Sequence, residues 1–359
     1  MNKIVEDDLK KIHLQFGNSF NFGNSTILIT GCAGFLGYYF MHYFYYYAKE
    51  LGIKKIIGLD NFMIKKPTWM EKLSNKNHDL VDIHKFNIIS GNLCEIKDAK
   101  KAKYILHMAS IASPSFYRKF PIETLDANIW GLRKLLDFYC NKEIKGLLMF
   151  SSSEVYGDPP SEYIPTPESY LGNVSSIGPR ACYDESKRFS ETLCYLYSQK
   201  FNMPITMVRP FNNYGPGMSL SDKRVPSDFA RAIVKGEDIQ IFSDGSPTRT
   251  FCYISDAIVG YLKALTFGDF EIFNIGIDKP EISIKRLAEI FKEKGRNIFK
   301  YNGEIKLAKP PEKNYMTNNP NRRCPSLNLA KSLLSYHPNI SIEEGIELFL
   351  KHLLFEIKK

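Results

Sequence analysis

Tyr183 and Lys187 stand four residues apart in IGPRACYDESKRFSE, Ile177–Glu191. On a helix that spacing puts both on one face. An ammonium beside a phenol favours the phenolate and lowers its pKa. A phenolate held that way can take the proton of a sugar hydroxyl while hydride leaves the same carbon. Spacing alone says little, because Tyr45 and Lys49 repeat it in an aromatic-rich stretch. Context separates the two pairs. An apolar run ending in Ser151, Ser152 and Ser153 precedes Tyr183, and Ser152 or Ser153 is placed to hydrogen-bond the reacting hydroxyl. Glu154 follows directly. A carboxylate there reaches C5 or C6 of a sugar rather than C4, and simple inversion at C4 does not need one.

Such a centre needs a hydride acceptor and elements to hold it. Ser25–Thr30 (STILIT) reads as a buried strand, and Phe35–Glu50 as the helix after it. Between them Gly31, Gly34 and Gly37 let the backbone turn tightly and approach a pyrophosphate at the helix N-terminus. A second strand, Lys55–Leu59, ends at Asp60. An acid there accepts hydrogen bonds from ribose hydroxyls and repels a 2′-phosphate, which favours NAD over NADP. The aromatic run Tyr38–Tyr47 reads as the buried and half-buried face of the first helix.

Further strands are expected up to Leu93 (Phe86–Leu93), at Tyr104–Met108, at Gly146–Phe150 and at Ile205–Arg209, with a helix over Thr124–Cys140. Strands alternating with helices predict an α/β fold with a doubly wound parallel sheet. Residues 1–25 read as a surface extension, with weak helical periodicity over Val5–Phe16. Residues 26–210 read as the nucleotide-binding domain. Residues 211–359 read mainly as a smaller substrate lobe, some of whose segments return to the first domain. In that lobe Asn212 is placed to hydrogen-bond a substrate diphosphate. Arg224 and Arg249 are candidate diphosphate ligands, since a guanidinium fork matches phosphate oxygens. His107 reads as a core histidine with no partner spaced for a metal.

The totals exclude several classes. The 359 residues carry 44% hydrophobic and 24% charged side chains, ordinary for a globular protein. No apolar stretch is long and uncharged enough to cross a bilayer, and MNKIVEDDLKK lacks the apolar core of a signal peptide. Seven scattered cysteines without a CxxC pair predict reduced thiols and a cytoplasmic protein. The net charge of +9 is spread along the chain rather than clustered with aromatics, so nucleic acid is not the expected partner.

The serines, Tyr-x-x-x-Lys and the spacing Gly-x-x-Gly-x-x-Gly together resemble the extended short-chain dehydrogenase/reductase superfamily, the NAD-dependent epimerases and dehydratases. HMASIASPSFY, SSSEVYGDP, IGPRACYDESKR, FNNYGP, RVPSDF and TRTFCYISD are similar to the UDP-glucuronate decarboxylases, or UDP-xylose synthases, from about residue 26 to 350. The resemblance implies a Rossmann-type fold with NAD held by Gly31, Ala33, Gly34, Phe35, Leu36 and Gly37. It implies Asp60 and Asn61 at the ribose, Asn92 and Leu93 near adenine, and Ala109, Tyr183, Lys187 and Pro210 completing the cofactor site. Ser113, Tyr117, Asn212, Arg224, Val225, Arg249 and Arg323 would bind a nucleotide sugar.

Ser152, Ser153, Glu154, Tyr183, Lys187 and Arg249 would be catalytic, with Asn128 bracing their helix and no metal. Tyr183 would remove the C4 hydroxyl proton, CO2 would leave a 4-keto intermediate, and Glu154 and Arg249 would orient the ring or manage the proton added at C5. A homodimer through Thr124–Cys140 and Tyr183–Phe201 is also implied. Gly217, Ser219, Ser326 and Ile111 depart from the residues usual in these decarboxylases, all near the substrate. The same centre suits a 4,6-dehydratase, a 4-epimerase or a 4-dehydrogenase. A non-catalytic NAD-binding protein is the remaining reading.

Overall fold

All six residues of Ser25–Thr30 are buried. A strand covered on both faces must lie inside a sheet flanked by helices. The computed structural model, which describes residues 2–63, 66–310, 317 and 319–358, places it there. This strand is β1. The next are β2 (Ile53–Asp60), β3 (Val81–Lys85), β4 (Ala102–His107), β5 (Gly146–Phe150) and β6 (Ile205–Pro210). With a last strand, Glu271–Ile275, they form one seven-stranded sheet in the order β3-β2-β1-β4-β5-β6-last. Every pairing in it is parallel. The expected Rossmann-type doubly wound sheet is therefore present. Its strand order reverses between β1 and β4, and ligands gather at that crevice beyond the strand ends. Within β1, Ile27 and Ile29 join one core cluster and Leu28 joins the other, as strand alternation requires.

Three local expectations are corrected. The third strand is Val81–Lys85, and residues 86–93 form a loop and a short turn instead. There Asn87 and Asn92 accept hydrogen bonds from the Ile89 and Cys94 amides, a local alternative to a strand ladder. The single helix expected over Thr124–Cys140 is three joined pieces: Pro121–Asp126, a π-turn at Ala127–Gly131, and Leu132–Tyr139. The N-terminal helix α1 (Lys3–Gln15) is no surface appendage, because Val5, Leu9 and Ile12 are fully buried in the main core. Asp8 on the same face accepts hydrogen bonds from the Tyr39 and Tyr253 hydroxyls, at 2.7 and 2.9 Å. An acid on the buried face is what blurs its apolar period.

The C-terminal half returns the helix Ile254–Leu265 and the last strand to the sheet and adds further short strands and helices. Thr248–Arg249 pairs in parallel with Arg322–Arg323, in a register that sets Arg249 beside Arg323. Helix α2 (Phe35–Tyr46) ends before Lys49, so Tyr45 and Lys49 do not share a helical face. Among the described residues, no helix is long and apolar enough to cross a membrane, and no group of three or more His, Cys, Asp or Glu could hold a metal.

Candidate active site

A cavity of about 1090 Å3 opens at the C-terminal ends of the strands. The glycine turn forms one wall. Gly31 has φ +71°, and a Cβ there would lie 2.8 Å from the Ala109 amide nitrogen on the strand-order reversal. A Cβ on Gly37 would lie 2.2 Å from the Cys32 carbonyl oxygen, so α2 packs on the turn only with glycine there. No side chain caps the start of α2, leaving its first amides to an anion. This cradle fits the pyrophosphate of NAD. Gly37→Ala is expected to lower the melting temperature and weaken NAD binding about tenfold or more, checked by thermal melts and NAD titration.

Asp60 lines the cavity at the end of β2. Its carboxylate accepts hydrogen bonds from the Ala33 amide at 2.9 Å and the Phe62 amide at 2.8 Å. Burial pushes its pKa up, and those two amides pull it back. Asn61, Ala109 and Pro210 also line the cavity, as do Ala33, Gly34, Phe35 and Leu36. Asn92 and Leu93 do not. Asn92 is exposed and caps its own turn, and Leu93 is buried in a core cluster. Asn87 and Ile88 stand on the cavity wall instead. The sequence signal was there: an asparagine directly after Phe86, at the strand end.

Helix Ala181–Phe201 carries the opposite wall. Lys187 Nζ donates to the Phe150 carbonyl at 2.7 Å and lies 5.7 Å from the Tyr183 ring centroid. Burial lowers its pKa to about 8, although Cys194 and Glu191 raise it. Burial also pushes Tyr183 up to about 12, while a hydrogen bond with the Ser152 side chain pulls it down. Desolvation thus outweighs the depression expected from Lys187, and the side chain that lowers the phenol most is Ser152. The Tyr117 ring stacks on Tyr183 at 5.1 Å and 14°, and its own buried hydroxyl is without a partner in the described structure. Asn128, inside the π-turn, donates to the Ser186 hydroxyl at 2.8 Å and accepts from Ser190 at 2.9 Å, which ties the helix down as expected. His107 is buried with Nδ1 2.9 Å from the Thr30 hydroxyl, a core histidine.

Glu154 lies in a cluster of guanidiniums. Arg323 grips it through two hydrogen bonds of 2.5 Å, and Arg180 bonds it from the helix start. Burial would raise its carboxyl, but Arg180, Arg323 and Arg249 overcome that and hold it at about 2. Asp184 is pushed to about 7 by burial and by Glu154, against the pull of Arg180. Arg249 is pulled down to about 9 by burial and then by Arg323, with Arg180 adding to it. Its Nη atoms donate to the Thr248, Asn321 and Pro320 carbonyls. Arg249 thus belongs to this cluster and lines the same cavity. Sequence reasoning gave Arg180 no role, although it stands three residues before Tyr183 at the start of one helix.

The remaining predicted residues also line the cavity. Arg224 is held by Asp222 through Nε and Nη2, at 2.5 and 2.8 Å, with its guanidinium 5.9 Å from the Phe35 ring. Ser113 donates to the Asp222 carbonyl at 2.7 Å, and Asn212 to the Thr250 carbonyl at 2.9 Å. Val225 and Ser153 stand on the wall.

The model of the NAD dependent epimerase/dehydratase family matches residues 27–276. UDP-glucuronic acid decarboxylase 5 of Arabidopsis thaliana is 33% identical over 325 residues, covering 90% of this chain and 88% of that protein. The UDP-glucose 4-epimerase of Thermotoga maritima, solved with UDP-glucose, aligns with a TM-score of 0.78 at 25% identity over 92% of this chain and 99% of that one. The UDP-glucuronic acid 4-epimerase of Bacillus cereus, solved with UDP-glucuronic acid and NAD, shares the fold with a TM-score of 0.73 at 23% identity, over 92% of this chain and 99% of that one.

Proposed function

The chain belongs to the NAD dependent epimerase/dehydratase family, and within it we propose that it is a UDP-glucuronate decarboxylase forming UDP-xylose. It is an NAD-dependent nucleotide-sugar enzyme. The observation that carries the finer reading is a surplus of buried positive charge at the sugar end. Arg180, Arg249 and Arg323 face one firmly ionised carboxylate, Glu154, and a second, Asp184, balanced near neutral pH. Buried charge needs a partner. A carboxylate on the substrate supplies the missing anion. The similarity to UDP-glucuronic acid decarboxylases supports the same substrate.

Bound NAD supplies the acceptor, and later the donor, of a hydride at sugar C4. Tyr183 Oη takes the C4 hydroxyl proton, with the Ser152 hydroxyl steadying both oxygens. Lys187, charged below about 8, favours the phenolate that results. The C4 ketone is β to the C6 carboxylate, so CO2 leaves with its bonding electrons drawn toward that ketone, and C5 takes up a proton. A carboxyl held at about 2 is an anion at any working pH. Glu154 therefore fits the orienting role and not that of proton donor: it keeps Arg180 and Arg323 aimed at the ring. Arg224 and Asn212, both on the cavity wall, are the residues to hold the diphosphate. Asn87 and Ile88 take the adenine-facing role.

Incubation with UDP-glucuronate and NAD is expected to release CO2 and a UDP-pentose. Turnover with the carboxylate retained, or turnover only of a neutral nucleotide sugar, would overturn the reading in favour of epimerase, dehydratase or dehydrogenase chemistry. The seven thiols are all unpaired, which supports a reducing, cytoplasmic setting. We also propose a homodimer through the Pro121–Tyr139 segment and helix Ala181–Phe201, whose outer faces leave Ile122, Trp130, Phe189 and Leu196 exposed.

A further inference from the structure

We propose that Glu191 is a positioning residue of the catalytic centre, fixing the strand end that carries Ser152 and setting a carboxylate one helical turn from Lys187. Tyr183, Lys187 and Glu191 are spaced by four on one helix, so they share a face. That face grips three consecutive residues at the end of β5. Lys187 donates to the Phe150 carbonyl at 2.7 Å. The Ser151 hydroxyl donates to Glu191 Oε1 at 2.5 Å. Ser152, the next residue, lowers the pKa of the Tyr183 phenol. A small slip of helix along strand would break both bonds and disturb that third contact with them.

Glu191 also ties the next strand to the same helix. Arg209 on β6 donates to it through Nε at 2.8 Å and Nη2 at 2.6 Å, and this pair is almost fully buried. From Arg209 the bonding continues through the Tyr156 hydroxyl at 2.7 Å to Asn274 at 2.7 Å. Asn274 donates to the Thr166 and Ser326 carbonyls, at 2.9 and 3.1 Å. Thr166 in turn bonds the backbone next to Arg323, at the Cys324 carbonyl. One line of buried hydrogen bonds thus runs from the helix of Tyr183 to the segment whose arginine holds Glu154. Glu191 itself does not line the cavity, so its influence is exerted through these partners.

The groups around Lys187 set the sign of a pH effect. On its own helix these are Tyr183, Glu191 and Cys194, and from β4 the buried His107 senses its charge. Glu191 raises the Lys187 pKa, and burial lowers it to about 8. Removing the Glu191 charge moves Lys187 further down, so the alkaline fall of kcat moves to lower pH.

The inference rests on the Tyr183 oxidation chemistry, and not on loss of CO2. Glu191→Gln is expected to lower kcat about 10- to 100-fold with little change in KM. Its alkaline limb is expected to move down by about half a unit or more. Because Arg209 is then left unpaired, the double variant Glu191→Gln/Arg209→Met serves where the single one folds poorly, and is expected to show the same pH shift. Ser151→Ala removes one bond and no charge, and is expected to lower kcat about threefold to tenfold with the pH limb in place. A Gln variant with the wild-type pH limb, or activity lost only in proportion to the unfolded fraction, would overturn the proposal. Tyr183→Phe run alongside separates the two ideas: full activity there defeats the oxidation reading, whereas an inactive Phe variant beside a normal Gln variant defeats only the role of Glu191.

Discussion

Tyr183→Phe is expected to cut turnover by about 10²- to 10⁴-fold, the range set by losing a general acid–base group. The change removes one oxygen and little else. The ring that stacks on Tyr117 at 5.1 Å remains, and so does the packing that buries it. Ser152 loses a hydrogen-bond partner but keeps its place at the end of β5, because Phe150 and Ser151 stay tied to Lys187 and Glu191. The glycine turn is untouched, so NAD affinity is expected to hold. Steady-state kinetics beside an NAD titration checks both halves. The height of the Tyr183 pKa, pushed up to about 12 by burial, sharpens the point. A phenol desolvated that strongly is a poor base until positive charge and the reacting hydroxyl come close. The neighbouring ammonium at 5.7 Å from the ring supplies part of that charge, and only while the pH stays below about 8.

Glu154→Gln is expected to reduce both stability and activity. It leaves the Arg180, Arg323 and Arg249 guanidiniums without their ionised partner in a buried site, a change that costs about 3–5 kcal/mol in comparable pairs. Asp184 offsets part of the loss. Freed from the Glu154 charge, it ionises more readily against Arg180. Acid titration gives the sign independently. The folded pKa of Glu154, about 2, lies below its ordinary 4.5, so the stability it contributes is present above 4.5 and is lost as pH falls toward 2. Asp184 runs oppositely: its folded pKa of about 7 lies above 3.8, so its contribution weakens folding as pH rises from 3.8 to 7. The wild-type melting temperature is therefore expected to drop more steeply below pH 4.5 than that of the Gln variant. Parallel curves in thermal melts across that range would contradict a buried, clamped Glu154.

The chemistry was legible where one local spacing decided it. Tyr183 and Lys187 follow from a helical period, and Gly31 and Gly37 from a turn between strand and helix. The sheet followed from short apolar runs alternating with helices. What escaped depended on partners far along the chain. Arg249 pairs beside Arg323 through strand register across a long interval, and nothing near either residue announces it. That pairing makes Arg249 a member of a crowded cationic cluster. Arg180 was passed over because an arginine before a helix usually reads as solvated. Asn92 came from the resemblance, but both asparagines cap local turns and only Asn87 lines the cavity. Helix α1 hid its buried face behind Asp8, whose burial needs two tyrosines from elsewhere.

Glu191 illustrates the same limit from the other side. Its spacing from Lys187 was visible, but Ser151 and Arg209 become its partners only once β5 and β6 lie side by side.

The most direct measurement is mass spectrometry of the product formed from UDP-glucuronate carrying deuterium at C4. Oxidation at that carbon by the Tyr183 centre, loss of CO2 and return of the same hydride predict a UDP-pentose lighter by one CO2 with the deuterium still at C4. A product that keeps the carboxylate, or a pentose made with no rate effect and no involvement of the C4 label, would contradict the account.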